Sequence, residues 1–314
     1  MVCWRTLPGI KKGKFITISE QLRNTSRHVR RAGDDGRPAF ADGEATAVLS
    51  AYDAAAPSFN RRRALPDGVA EAIRAAAMAA VGVVPRPRLL DIGSGAGRIG
   101  DTFVAAGDNY FGVDLSFGML RAFLHRVTCG GASPGPASPR LVRADGRYLP
   151  FRDATFDVVM MIQIFGGMIG FRLLVSEARR VLRPSGAVVL GRTLAAEHCV
   201  DARLKQRLAL ILSEIGIDPG HNFHDEVEQA LNSAACSAES VVAASWRADR
   251  TAREFLERHR TGARFSALPE PVKEEALRRL AVWAVATFGS LDAVYCQPHA
   301  FALQVFKFGP GAPL

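Results

Sequence analysis

The chain has 314 residues, 48% hydrophobic and 23% charged, which is typical of a soluble globular protein and leaves no apolar run near the roughly 18 residues of a membrane span. The 40 basic and 31 acidic residues give a net charge of +9, which we interpret as an arginine-rich solvated surface rather than as a nucleic-acid or membrane interface. The five cysteines are scattered without a C-x-x-C pair, which argues against a disulfide framework and a zinc site and favours a cytoplasmic location.

The N-terminal residues 1–45 are basic and show little commitment to regular structure. We expect a flexible extension there, because the aromatic side chains that nucleic-acid-binding arms interleave with basic residues are lacking. The sequence then predicts one domain over residues 46–308, with its core at 85–192, and a short tail at 309–314.

A glycine-rich turn follows the first predicted strand of this domain. The apolar run Leu89–Ile92 predicts a buried strand, and residues 93–100 then read GSGAGRIG before a predicted helix. Glycine lets backbone approach a ligand where a Cβ would collide, and the start of a helix presents free N–H groups. This order therefore predicts a nucleotide-type cofactor site.

Two cofactors fit the turn. Gly95, Gly97 and Gly100 satisfy the dinucleotide fingerprint G-x-G-x-x-G, with Asp114 about 20 residues further on. Counted from Asp91, the same turn reads D-x-G-x-G-x-G. A carboxylate at that position would repel a pyrophosphate but can orient an ammonium group. The residues downstream decide between the two.

Those residues predict four further strands and their helices. A carboxylate, Asp114, ends the second strand, a helix containing Met119 follows it, and a helix over about 177–186 precedes the fifth strand. The segment Cys129–Pro139 is of low complexity and predicts an exposed insertion. The predicted strands lie at Phe111–Ser116, Leu141–Ala144, Phe156–Met161 and Ala187–Leu190.

Taken in order, these segments resemble the motifs of class I S-adenosylmethionine (SAM) methyltransferases, especially the branch that includes quinone-biosynthesis and many small-molecule enzymes. The resemblance covers about residues 50–192 and implies a Rossmann-like α/β fold, in which a seven-stranded, mostly parallel sheet has helices on both faces. It implies SAM as the cofactor, with Asp114 on the ribose, Asp145 on the adenine amino group and the Gly93–Gly97 loop at the methionine end. The cofactor-binding residues that it implies are Tyr52, Asp91, Gly93, Ser94, Gly95, Gly97, Arg98, Asp114, Leu115, Met119, Asp145, Gly146 and Gln163.

Two insertions follow the fifth and sixth strands. Apolar periodicity predicts helices at 204–215, from 225, at 253–259 and at 272–288, with strands at Ser240–Trp246 and Phe301–Phe306. We expect the insertions, at about 195–235 and 250–290, to form a helical lid that encloses a small acceptor. The segment from Gln163 to Met168 lacks the Asn/Asp-Pro-Pro-Tyr/Phe signature of DNA-amine methyltransferases.

Methyl transfer from a sulfonium is an in-line displacement to which orientation contributes about 7–11 kcal/mol. A base is needed only when the acceptor loses a proton, and His198, just after the fifth strand, is the candidate. We expect a SAM-dependent methyltransferase that acts on a small, partly apolar molecule. The alternatives are an RNA or protein methyltransferase and a non-catalytic SAM-binding protein. An NAD-dependent reductase ranks last, because the chain has no Tyr-x-x-x-Lys pair.

Overall fold

The computed structural model describes residues 52–57, 59, 63–82, 86–129, 139–166, 170–260, 262, 265 and 268–309. The predicted N-terminal extension, the centre of the low-complexity insertion and the last five residues lie outside the described residues. Residues 52–57 are helical. The longer helices are α1 (Val69–Val81), α2 (Gly100–Ala105), α3 (Phe117–Cys129), α4 (Phe171–Val181), α5 (Val200–Glu214), α6 (His224–Ala234), α7 (Ala252–Arg260) and α8 (Glu270–Phe288).

Seven strands within the described ranges form one sheet, in the order β3-β2-β1-β4-β5-β7-β6. Neighbours from β3 to β5 pair in parallel, whereas β7 pairs antiparallel with both β5 and β6. The predicted seven-stranded, mostly parallel sheet is therefore confirmed. The strands are β1 (Arg88–Ile92), β2 (Asn109–Asp114), β3 (Arg140–Arg143), β4 (Phe156–Ile162), β5 (Leu182–Ala195), β6 (Ser237–Arg250) and β7 (Tyr295–Lys307).

Hydrophobic cores lie on both faces of the sheet because the central strands are apolar on both sides. Leu89 belongs to the core that α1, α2 and α3 cover, and its neighbour Leu90 belongs to the core that α4 and α6 cover. All seven residues of β4 are buried, as expected for a central parallel strand. A third core joins α5, α7 and α8 to one another.

Two boundaries differ from the sequence prediction. The helix expected to reach residue 186 ends at Val181, and β5 begins at Leu182. Pro184 explains this difference, because it disfavours helical geometry at the residue before it and cannot donate a helical hydrogen bond. Strands β5, β6 and β7 are also longer than predicted, since the antiparallel pairing of β5 with β7 continues to Ala195 and His299.

None of the helices in the described part of the chain combines the length and the apolar character needed to cross a bilayer.

Candidate cofactor site

The glycine turn between β1 and α2 has one face packed against protein and one face open. Gly97 has a φ of 76°, and a Cβ there would lie 2.1 Å from the Phe123 ring of α3. Gly95 has a φ of 56°, and among the described residues the nearest atom to a Cβ at that position, its chain neighbours apart, would be a backbone oxygen at 3.9 Å. Gly97 is thus required for packing, whereas Gly95 faces the space in which a ligand can approach the backbone.

The carboxylate of Asp114 lies directly against this turn. One of its oxygens accepts a hydrogen bond from the Gly95 N–H at 2.8 Å, and the other accepts one from the Ser116 N–H at 2.8 Å. Burial raises the pKa of Asp114 although these N–H groups lower it, and the nearby Asp53 raises it further. The acid predicted to hold the ribose is therefore bonded directly to the backbone of the turn.

Asp91 lies beneath the turn and is only 5% exposed. Its Oδ2 accepts a hydrogen bond from the Tyr110 hydroxyl at 2.6 Å. Burial raises the pKa of Asp91 to about 7, although the Tyr110 bond lowers it, and Asp114 raises it further. The sequence did not reveal the pairing with Tyr110, because it joins side chains of two adjacent strands.

The charge at this turn distinguishes the two cofactors that fit its sequence. Asp53 raises the pKa of Asp114, and Asp114 raises the pKa of Asp91, so the three carboxylates lie close together. A pyrophosphate would add two negative charges beside them, whereas the ammonium and sulfonium groups of SAM are positive. The residues present therefore fit SAM better than a nicotinamide dinucleotide.

At the predicted adenine end, the carboxylate of Asp145 is bound by Arg147, two residues further along the same turn. Its Oδ1 accepts from the Arg147 N–H at 2.9 Å, and its Oδ2 pairs with the Arg147 guanidinium at 2.7 Å. A Cβ on Gly146 would lie 2.8 Å from a methyl carbon of Ile92, so the turn is tightly packed on β1. An adenine amino group that binds Asp145 competes with Arg147 for the carboxylate.

A polar chain links the glycine turn to the ends of β4 and β5. Arg98 donates to the carbonyl of Arg63 at 2.7 Å and also binds the side-chain oxygen of Gln163. Gln163 in turn donates from Nε2 to the Thr193 hydroxyl at 2.7 Å, and its φ is 56°. Burial lowers the pKa of Arg98 to about 10, and Arg63 and Arg126 lower it further. Gln163 thus lies at the site, in a left-handed conformation that is costly for a residue with a side chain.

The remaining predicted cofactor residues surround the same turn. Tyr52 and Met119 share a small apolar cluster with Ala56 and Ala96, which places the helical residues 52–57 against the turn. The hydroxyl of Ser94 is buried, with no hydrogen-bond partner among the described residues. Leu115 is partly buried, and its carbonyl accepts from Arg143 at 3.1 Å.

His198, the predicted base, is exposed in the turn between β5 and α5. A histidine that the sequence prediction did not select, His259 on α7, is more firmly held. Its Nδ1 lies 2.9 Å from the Phe255 carbonyl, and burial lowers its pKa to about 4. Because only a protonated nitrogen can donate to a carbonyl, Nδ1 carries the proton and Nε2 is the basic nitrogen. The signal in the sequence is the one-turn spacing of Phe255 and His259, whose rings stack at 3.9 Å.

Comparison with known proteins relates the part of the chain that contains this turn to methyltransferases. Residues 90–190 match a family described as a methyltransferase domain. The chain is 31% identical over 144 residues to a demethylmenaquinone methyltransferase of Streptomyces griseus subsp. griseus, which covers 46% of this chain and 59% of that relative. It is 31% identical over 108 residues to a demethylmenaquinone methyltransferase of Corynebacterium urealyticum, which covers 34% of this chain and 42% of the relative. The chain thus spans about half the length of these curated relatives.

Two solved structures share the fold. The YcgJ protein from Bacillus subtilis has a TM-score of 0.51 at 18% identity and covers 75% of this chain and 98% of its own. A putative methyltransferase from Bacillus halodurans C-125 has a TM-score of 0.51 at 17% identity and covers 77% and 99%. The predicted resemblance to the class I SAM methyltransferases is thus confirmed over residues 90–190, which carry a methyltransferase domain.

Proposed function

We propose that this protein transfers the methyl group of SAM to a small, partly apolar molecule. The observation that carries the proposal is that other residues cover the segment after β4. In our interpretation, the acceptor binds beside this segment, next to the cofactor. The Phe223 N–H donates to the Phe165 carbonyl at 3.2 Å, and Gly166 pairs with Asn222. The connection from α5 to α6 thus packs over the end of β4, which supports a bounded acceptor space rather than an open polymer-binding face.

The helices of the two insertions support the same proposal. Residues from α5, α7 and α8 pack into one apolar core, in which Leu204, Phe255 and Leu280 are at most 3% exposed. We propose that α5, α7 and α8, which belong to these insertions at about 195–235 and 250–290, form the lid of residues 46–308, whereas α6 packs on the sheet. A lid with its own core can exclude water from a reacting pair.

The residues of the turn and the neighbouring acids would hold the cofactor, and the protein would promote the reaction by orienting the acceptor toward the methyl group. When bound, SAM supplies an electrophilic methyl group on a positive sulfur. Asp114 would hold the ribose, and the open face of Gly95 would lie against the methionine end of the cofactor. Asp91 would offset the positive charge of its ammonium group. The chain's part would be to hold the acceptor lone pair in line with the bond from that methyl carbon to the sulfur, which would leave with the bonding electrons. Positioning of this kind contributes about 7–11 kcal/mol.

A base acts only if the acceptor must lose a proton. We propose His198 for this role and take His259 as the comparison, because its Nε2 is unprotonated and its ring is fixed by Phe255. His198→Ala is expected to lower turnover at least tenfold without changing the affinity for S-adenosylhomocysteine (SAH). The same loss in His259→Ala, with His198→Ala unaffected, would transfer the role to His259.

Demethylmenaquinone, named in the curated relatives, is the first acceptor to test. We expect the purified protein, SAM and reduced demethylmenaquinone or a short-chain analogue to yield SAH and a product heavier by one methylene unit, measured by mass spectrometry. Asp114→Ala serves as the control that lacks the proposed ribose contact. Turnover with RNA or protein acceptors alone would contradict the proposal, as would SAM binding without turnover across a panel of small aromatic acceptors. RNA binding that falls steeply with salt would support the polymer alternative.

A further inference from the structure

Asp53 joins the helical residues 52–57 to the first turn of α3. Its Oδ1 accepts a hydrogen bond from the Gly118 N–H at 2.8 Å and another from the Ser116 hydroxyl. The fit is close, because a Cβ on Gly118 would lie 2.9 Å from the Asp53 backbone. A carboxylate at this end of α3 is also favoured by the helix dipole.

Ser116 connects this contact to the predicted ribose acid. Its N–H donates to Asp114 Oδ1 at 2.8 Å, and its hydroxyl accepts from the Met119 N–H at 3.1 Å. Asp114 in turn accepts from the Gly95 N–H at 2.8 Å. An unbroken series of hydrogen bonds therefore runs from Asp53, through Ser116 and Asp114, to the open face of the glycine turn.

The other side of residues 52–57 packs on the glycine turn itself. Tyr52 and Ala56 contact the cluster that contains Ala96 of the turn and Met119 of α3, and Ala56 is 4% exposed. The contacts of Asp53 and of this cluster thus hold the helical residues 52–57 against the site from two sides.

We infer that Asp53 is a positioning residue that closes residues 52–57 over the cofactor site and thereby strengthens cofactor binding. The inference rests on the proposed function, because it requires that SAM bind at the glycine turn. Asp53 acts through Ser116 and Asp114 on the ribose side and through the placement of Tyr52 on the other side. Cofactor binding should consequently stabilise residues 52–57 and the Asp114 carboxylate together.

Calorimetric binding of SAH to the 314-residue chain tests this role. Asp53→Ala is expected to weaken SAH binding at least tenfold. Asp53→Asn should stay within about threefold of wild type, because the amide oxygen can accept the same hydrogen bonds. Ser116→Ala should give an intermediate loss, since it removes one donor and leaves the Gly118 contact. Asp67→Ala is the matched control, because it removes an exposed acid from the turn before α1.

Hydrogen exchange measured by mass spectrometry separates positioning from a structural role. SAH should slow exchange in residues 52–57 of wild type and Asp53→Asn, but not of Asp53→Ala, at temperatures well below unfolding. A merely structural role would lower the melting temperature of Asp53→Ala and leave SAH affinity and SAH-dependent protection intact, which would overturn the inference. Wild-type protein that binds no SAH would overturn the proposed function and the inference together. Wild-type binding with an Asp53→Ala affinity within twofold would overturn the inference alone.

Discussion

The Gly95 N–H donates a hydrogen bond of 2.8 Å to the carboxylate of Asp114. Asp114 is the last residue of β2, and Gly95 lies in the turn after the neighbouring parallel strand β1, so the acid at the end of β2 fixes the turn that follows β1. A turn held in this way does not need to reorganise before a ligand arrives, which lowers the entropic cost of binding.

Replacing Asp114 should remove cofactor binding more than it removes stability. Asp114→Ala deletes the predicted ribose contact and the acceptor for the Gly95 and Ser116 N–H groups, so calorimetry should show SAH affinity reduced at least tenfold. Asp157→Ala is the matched control at the opposite edge of the sheet, where that carboxylate accepts from the Arg88 N–H at 2.8 Å. This control should lower the melting temperature and leave SAH affinity unchanged. Equal SAH affinities in Asp114→Ala and wild type would exclude Asp114 from the site.

The two faces of the glycine turn should respond differently to alanine. Gly97→Ala places a Cβ 2.1 Å from the Phe123 ring, so we expect a loss of stability of about 1–3 kcal/mol or more from overpacking and backbone strain. Gly95→Ala meets no atom closer than 3.9 Å in the described part of the chain outside its own neighbours, and should cost only about 1–2 kcal/mol for the left-handed backbone. Its SAH affinity should nevertheless fall at least tenfold, because the new methyl group occupies the ligand face.

Urea unfolding and calorimetry of the two variants check this difference. A Gly95→Ala protein with wild-type SAH affinity would show that the ligand does not approach that face.

The stability of the protein should depend on the ionisation of Asp91. Burial raises its pKa to about 7, above the value of about 3.9 in an unfolded chain, so the folded state holds more protons between these values. The free energy of unfolding should therefore fall as the pH rises from about 4 to about 7, by up to about 4 kcal/mol from this group alone. Asp91→Asn cannot ionise and still accepts from Tyr110, so this contribution should be absent from its unfolding curves.

Denaturant titrations at pH 4.5, 6 and 8 measure the difference between the two proteins. If the free energy of unfolding varied with pH in the same way in wild type and Asp91→Asn, the raised pKa of Asp91 would be refuted.

The left-handed backbone of Gln163 can be separated from its side chain. Both Gln163→Ala and Gln163→Gly remove the hydrogen bonds to Arg98 and Thr193, but only glycine adopts a φ of 56° without a steric penalty. The glycine variant should thus be more stable than the alanine variant by about 1 kcal/mol. Thermal unfolding of the pair tests this, and a more stable alanine variant would show that the backbone relaxes after the side chain is lost.

The parts of the site that depend on local sequence could be predicted. Apolar runs that end in an acid or a glycine turn located β1, β2 and the turn at residues 93–97, because strand burial and turn geometry depend on residues within about ten positions of one another. The partners of side chains could not, since the Asp53–Gly118 and Arg98–Gln163 contacts join residues far apart in the sequence. Likewise, the acid Asp145 was predicted at the adenine, but its pairing with Arg147 follows from rotamers that the sequence pattern does not specify.

The separate apolar core of α5, α7 and α8 has a consequence for how this enzyme class diversifies. Substitutions at Leu204, Phe255 or Leu280 are absorbed among these three helices, because the cores against the sheet are built from other residues. Evolution, or a designer, could therefore alter these three helices, which form the lid in our proposal, while the residues around the glycine turn keep their packing.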